Sequence, residues 1–143
     1  LDAILAAITE TNWATANTPT YAEIVALETA INAANANRGS LGYVMTAALV
    51  GALKTTSKIA ETKPIIDVDN RVNGYAYDYS NQLAAVTCIF GNWSDLILGQ
   101  CGGIELVIDP YTSKRKAQIE LAQHTYRDAK VAEPKSFAAK ING

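Results

Sequence analysis

The sequence predicts an α+β fold, a mixed or antiparallel sheet flanked by helices, and three observations carry that prediction. A capped amphipathic stretch lies in the first third of the chain, and short apolar strands bounded by glycine and proline dominate the rest. No regular strand–helix–strand alternation joins the two, which argues against a parallel α/β sheet.

Residues 1–8 are apolar and fit a short helix or a strand equally well, and 12–19 read as a polar connection. Thr20-Tyr21-Ala22-Glu23 is a capping box: the threonine hydroxyl accepts from the glutamate backbone N–H while the glutamate reaches back. Ile24, Leu27, Ile31 and Ala34 recur behind it at helical spacing, which predicts a helix over 20–37 with Gly39 as its left-handed stop. Residues 42–45 read as a short buried strand, and Thr46 is placed to cap a second helix through Lys54. A polar loop follows over 55–64. Residues 65–70 alternate weakly, whereas 75–79, opened by Gly74, alternate with period two and set Tyr75, Tyr77 and Tyr79 on one face. A buried strand is predicted over 84–90, ending at Gly91. Another is predicted over 104–108, preceded by Gly102-Gly103 and closed by the turn pair Asp109-Pro110. The last strand is long, 117–131, with Ile119, Leu121, Thr125, Ala129 and Val131 on one face, and Pro134 stops it. No internal repeat or low-complexity stretch interrupts this order.

Composition narrows the function. The 143 residues, 49% apolar and 18% charged, suffice for one ordinary domain. A net charge of −2 lacks the basic stripe of a dedicated nucleic-acid binder. No Lys or Arg precedes Arg38, so the positive flank of a secretory signal is missing. The longest apolar runs, such as 47–53, fall far short of the ~20 residues that span a bilayer. A soluble, unexported protein is expected. Because the chain begins at Leu1 and not at methionine, a fragment of a longer product is also expected. Two cysteines are too few for a disulfide scaffold, and Cys88, inside the apolar run 84–90, fits a small buried hydrophobe.

No constellation points to catalysis. Cys88, Cys101, His124 and Asp128 are the only candidates for nucleophile, base and orienting group. His124 falls mid-strand on a face with Glu120, Ala122 and Tyr126, where an ordinary strand histidine is the simpler reading. One histidine and two distant cysteines match no zinc spacing. Asp67-Val68-Asp69-Asn70-Arg71 has a calcium-loop start but places Arg71 at the fifth position and Val72 where glycine is required. Gly99-Gln100-Cys101-Gly102-Gly103 lacks both the Walker lysine and the dinucleotide spacing, so no cofactor is expected. Lys114-Arg115-Lys116 reads as a solvated turn, with contact to nucleic acid as the alternative. Asn92-Trp93-Ser94 is formally a glycosylation sequon, without meaning in an unexported protein. The tyrosine row is less easily given to solvent: the three rings either pack beneath the helix 20–37 or form a subunit or domain interface.

Six motifs stand in an order that resembles one family over about 20–141: Tyr43-Val44-Met45-Thr46 followed by Leu49 and Leu53-Lys54; Gly74-Tyr75-Ala76 with Ser80-Asn81-Gln82; Ile89-Phe90-Gly91-Asn92-Trp93-Ser94; Leu98-Gly99-Gln100-Cys101-Gly102-Gly103-Ile104; Asp109-Pro110-Tyr111-Thr112; and Val131, Pro134 and Phe137-Ala138. The chain resembles the C-terminal half of the phage capsid family, whose shell subunit has the Hong Kong 97 fold. Thr46 stands where that family usually has asparagine, Ala76 where it has proline, and Asn92 where aspartate is common.

The resemblance implies an axial-type domain over 1–115, its residues 1–19 outside the matched motifs, and a returning peripheral-domain strand with the C-terminal segment over 116–143. An N-terminal arm, an extended loop and a spine helix would lie upstream of Leu1. Phe90, Gly91, Asn92, Trp93, Gly103, Asp109 and Pro110 become structural positions, and Tyr75, Tyr77 and Tyr79 a candidate subunit interface. Implied partners are copies of the chain itself in pentamers and hexamers, with double-stranded DNA touched only non-specifically and no membrane. The implied place is the virion capsid, assembled in the bacterial host cytoplasm, with no catalysis. Two alternatives remain: an encapsulin-type shell around a cargo enzyme, which shares the fold, and a small hydrolase using Cys88 or Cys101 with His124.

Overall fold

A computed structural model describes residues 1–15, 18–58, 63–66, 69, 71–83, 86–109, 111, 115 and 119–142. Its elements are α1 (Asp2–Leu5), β1 (Thr11–Asn12), α2 (Tyr21–Ala33), β2 (Leu41–Met45), α3 (Ala47–Thr55), β3 (Arg71–Val72), β4 (Tyr75–Tyr79), β5 (Cys88–Asn92), β6 (Leu96–Asp109), β7 (Glu120–Val131) and β8 (Phe137–Ile141), with 3₁₀ turns at Trp93–Asp95 and Pro134–Ser136. The fold is α+β, as the sequence predicts. A six-stranded mixed sheet in the order β1-β8-β5-β2-β4-β3 is accompanied by a separate two-stranded ribbon, β6-β7. In the sheet, β1 runs parallel to β8 and β2 parallel to β4, and the other pairings are antiparallel.

The sheet is covered on both faces. Tyr43, Met45, Cys88 and Phe90 pack under Ile24, Leu27 and Ile31 of α2 and Leu49, Val50 and Leu53 of α3. The alternate side chains Ile89, Phe137 and Ala139 face the other way, against Ile4, Leu83 and Val131. Each fully buried large aliphatic or aromatic side chain contributes roughly 1.5–3 kcal/mol, so the two clusters account for why this arrangement holds.

The α2 capping box forms as read: Thr20 Oγ1 accepts from Glu23 N–H, and the Glu23 carboxylate accepts from Thr20 N–H at 3.0 Å. The other end differs. α2 stops at Ala33, four residues short of the predicted 37, because Asn35 (φ 56) takes the left-handed position. Ala36 N–H then bonds Ile31 O and Asn35 N–H bonds Asn32 O, closing a Schellman motif. Gly39 (φ 73) instead turns the chain into β2. Thr46 has N-cap backbone geometry before α3, but its hydroxyl makes no capping bond and is buried without a partner.

β5 begins at Cys88, later than the predicted 84, since Val86 (φ 55) cannot continue a strand; residues 84 and 85 lie outside the description. The weakly alternating 65–70 appears among the described residues as Ile66 bridged to Val72, with Ile65 and Ile66 both buried. Asn73-Gly74, both at positive φ, turns β3 into β4 as a two-residue hairpin that the sequence reading passed over.

The chain divides into two compact units, Leu1–Leu96 with Val131–Gly143, and Ile97–Lys130. The physical reason is strand pairing. β6 and β7 pair with each other, whereas β8, grouped with β7 in the sequence reading, sits between β1 and β5 in the six-stranded sheet. Among the described residues no helix is long and apolar enough to cross a membrane.

Candidate assembly surfaces

The motif residues 90–93 form the junction that holds the first unit together. Phe90 is buried on β5 with its ring centroid 4.4 Å from that of Tyr43 and 5.1 Å from that of Tyr75. Gly91 faces Phe137 across the β5–β8 ladder, and a Cβ there would fall inside 3.0 Å of that ring. Asn92 is buried; its Oδ1 accepts from Ser40 N–H at 2.9 Å and from Ser94 N–H at 3.2 Å, pinning the turn before β2 and capping the turn after β5. Trp93 donates its indole N–H to Gly42 O at 3.0 Å and packs edge-on against Phe137. Asn92 thus acts as one buried acceptor shared by two turns.

Other predicted positions fare differently. Gly103 lies on β6 with open space where a Cβ would point, so the ribbon itself gives no steric reason for glycine. Asp109 ends β6 and accepts from Tyr111 N–H at 2.7 Å, while Pro110 lies outside the described residues. Of Lys114-Arg115-Lys116 only Arg115, exposed, is described, and most of the calcium-like stretch 67–71 lies outside the description too.

The tyrosine row splits. Tyr75 and Tyr77 are half-buried against the α2/α3 core, and Tyr75 meets Tyr43 edge-on, the packing alternative of the sequence reading. Tyr79, at the end of the same strand, is 65% exposed beside the exposed Asp78.

Electrostatics concentrate at two carboxylates of α2. Glu23 receives Ala14 N–H at 2.8 Å, Thr20 Oγ1–H at 2.7 Å and Lys140 Nζ at 3.2 Å. Partial burial pushes its carboxyl up, but the hydrogen bonds from Ala14, Thr20 and Lys140 together outweigh it and bring the pKa down to about 2. Glu28 accepts from the Tyr43 hydroxyl and from Asn73 Nδ2 at 2.8 Å, and burial followed by the Glu28 contact drives the Tyr43 hydroxyl far above its usual range. The sequence reading missed Trp13, placed in a polar connection. It is buried, donates to Val86 O at 2.7 Å and has the Lys140 ammonium 5.5 Å from its ring centroid. A lone tryptophan among polar residues was the available signal.

Cys88 and Cys101 are both free thiols. Cys88 is fully buried, which raises its pKa well above the ordinary thiol value, while Cys101 is exposed on β6 and His124 exposed on β7. No group of three or more potential metal ligands occurs among the described residues.

Two surfaces stand out. In the first unit a groove of about 570 Å³ lies between the segment after α1, the outer face of α2 and β8, and Ile8, Ala26, Ala30, Lys135, Ala138 and Lys140 are among the residues that line it. The ribbon is the second. Ile104, Leu106 and Ile108, which share a face by the two-residue period, are each more than half exposed, as are Ile97, Leu98, Leu121 and Tyr126. The 104–108 strand expected to be buried is therefore open, since only β7 lies beside β6 in the ribbon's two-stranded sheet.

Comparison with known proteins assigns the fold. The chain is 34% identical over 90 residues to the major capsid protein of Halomonas phage phiHAP-1, a stretch covering 63% of this chain and 15% of that protein. Among solved structures it is similar to a virus-like particle from Pyrococcus furiosus (TM-score 0.69, 12% identity, 96% of this chain and 58% of that one). It is also similar to the capsid of an empty GTA particle (0.69, 16%, 93% and 48%) and to a chain of Gordonia phage Cozz (0.69, 18%, 98% and 51%). The chain thus spans about half the length of these structural relatives. The sequence pattern of the phage capsid family runs from residue 2 to residue 140, through the Phe90–Trp93 junction and both surfaces, and the chain belongs to that family.

Proposed function

We propose that this chain is a structural part of the shell subunit of a phage or prophage capsid and that it catalyses no reaction. The ribbon carries the reading: a strand pair with Ile104, Leu106, Ile108 and Leu121 turned to solvent is a surface waiting for protein, not for a small substrate. The first unit takes the axial role and the ribbon the peripheral one. The partners are copies of the subunit in pentamers and hexamers, and packaged double-stranded DNA is met only non-specifically. The subunit resides in the virion and assembles in the bacterial host cytoplasm. An encapsulin-type shell would use the same fold, but the 34% identity to a phage major capsid protein favours the capsid. A cysteine hydrolase is disfavoured because the buried Cys88 thiol is pushed away from the thiolate, the opposite of an activated nucleophile. The test is electron microscopy of particles from the complete reading frame that carries these residues. Closed shells are expected, and Leu106→Asp should abolish them while leaving the circular dichroism of the subunit unchanged; soluble subunits that never form particles would sink the reading.

A further inference from the structure

The first unit carries two surfaces at opposite sides of one sheet, and together they define a contact between copies. The strand order β1-β8-β5-β2-β4-β3 puts β8, which forms one wall of the 570 Å³ groove, and β4, which ends in Asp78 and Tyr79, on either side of the β5–β2 pair. The groove is lined by short side chains, Ala26 and Ala30 from α2 and Ala138 from β8, and by no acidic residue. Both carboxylates of α2 are engaged internally, Glu23 with Thr20 and Lys140 and Glu28 with Tyr43 and Asn73, so the outer face of the helix brings no charge to the groove. Lys135 stands exposed at its rim. Across the sheet, Tyr79 is exposed although Tyr75 and Tyr77 of the same row turn into the core, and its neighbour Asp78 is exposed as well.

Resting on the shell reading above, we propose that Tyr79 of one copy inserts into the α2–β8 groove of the next, with Asp78 against Lys135. An aromatic anchor entering an apolar groove, with one charge pair at the rim, is the usual composition of an interface hot spot. Because knob and groove are different surfaces of the chain, the contact is heterologous, and repetition builds a ring and not a two-fold dimer.

The experiment places p-benzoylphenylalanine at position 79 and irradiates the chain across a concentration series, with a ¹⁵N-labelled portion to mark links between copies. Crosslinks from 79 to residues 22–30 or 134–140 of another copy, in a ladder extending past the dimer, are expected. Alongside it, Asp78→Lys and Lys135→Asp should each weaken self-association about tenfold or more by sedimentation equilibrium. Their equimolar mixture should recover it, since each altered surface then meets an opposite charge. Crosslinks elsewhere, a ladder ending at the dimer, no crosslinks at the solubility limit, or a mixture no better than its parts each overturn the proposal. Shells that form from the complete reading frame with Tyr79→Ala unaffected would remove this contact while leaving the shell reading intact; the absence of shells altogether counts against that reading separately.

Discussion

The side-chain oxygen of Asn92 accepts a hydrogen bond from the backbone N–H of Ser40, 52 residues away in sequence, at 2.9 Å. The same atom accepts from Ser94 N–H, so one buried acceptor fixes two turns at once. Asn92→Ala should cost about 2 kcal/mol, the range for leaving buried donors unpaired. Asn92→Asp, which keeps the acceptor, should cost less. Gly39→Ala should be as damaging as Asn92→Ala, because Gly39 sits at φ 73 and its Cβ would lie 2.5 Å from Asn92 Oδ1. Urea midpoints of the three variants check the ranking, and an Asn92→Ala protein as stable as the parent would remove the role assigned here.

Gly91 and Phe137 form a second pair in which one residue's smallness makes room for the other. Gly91→Ala should destabilise by about 1–3 kcal/mol through overpacking and should shift Trp93 fluorescence, since Trp93 stacks edge-on against the displaced ring. Phe137→Leu should relieve part of the cost, which a double-mutant cycle reads as a coupling energy. Additive effects would mean that the strand moves as a whole and the ring does not.

The two helix N-caps should respond in opposite ways. Thr20→Ala removes a capping box and should cost about 1 kcal/mol. Thr46→Val removes a buried hydroxyl with no partner and should be neutral or stabilising. Thermal melts of the pair decide it, and equal losses at both sites would show that Thr46 caps α3 in solution.

Local signals of this kind made the first unit legible. Thr20 and Glu23 announced α2, the period-two run at 75–79 announced β4, and the order of short motifs carried the family. What failed was whatever depends on a distant partner. Asn35 and not Gly39 ends α2: either residue tolerates the left-handed conformation, but a stop at Asn35 lets Ala36 N–H bond Ile31 O and puts Ala36 in the buried cluster. Alternation places Tyr75, Tyr77 and Tyr79 on one face but says nothing of where along the strand the core stops. The apolar run 104–108 reads as buried because hydrophobicity records that a strand needs covering, not which element covers it. Trp13 carries no periodic pattern, and its anchoring depends on Val86, 73 residues later.

Acid should loosen the junction between the N-terminal segment, α2 and β8. The folded Glu23 carboxyl titrates near 2 against an ordinary value of 4.5, so between these the native state binds fewer protons than the unfolded one. Its contribution is therefore complete above pH 4.5 and is lost as pH falls from about 4.5 to about 2. The loss should be on the order of 2 kcal/mol after allowance for solvent screening. Denaturation midpoints across that window should be flatter for Glu23→Gln than for the parent. Identical slopes would place the acid sensitivity on other carboxylates.

Replacing Ile104, Leu106 and Ile108 together by threonine should leave the stability of the first unit unchanged, because none of the three side chains belongs to either buried cluster. Substitutions at exposed positions ordinarily change stability by no more than about 0.5 kcal/mol, and threonine keeps the β-branching that favours a strand. Solution behaviour should change instead. The native ribbon offers a period-two apolar stripe and open strand edges, a combination that binds hydrophobic dyes and recruits other chains. The triple variant should bind less dye, stay soluble at higher concentration and fail to enter shells made from the complete reading frame. The decisive pair of measurements is the melting midpoint of the first unit against dye binding. A midpoint lowered by several degrees would mean that these side chains are already buried in the solitary chain, and the ribbon would then be part of a finished core and not a surface kept for assembly.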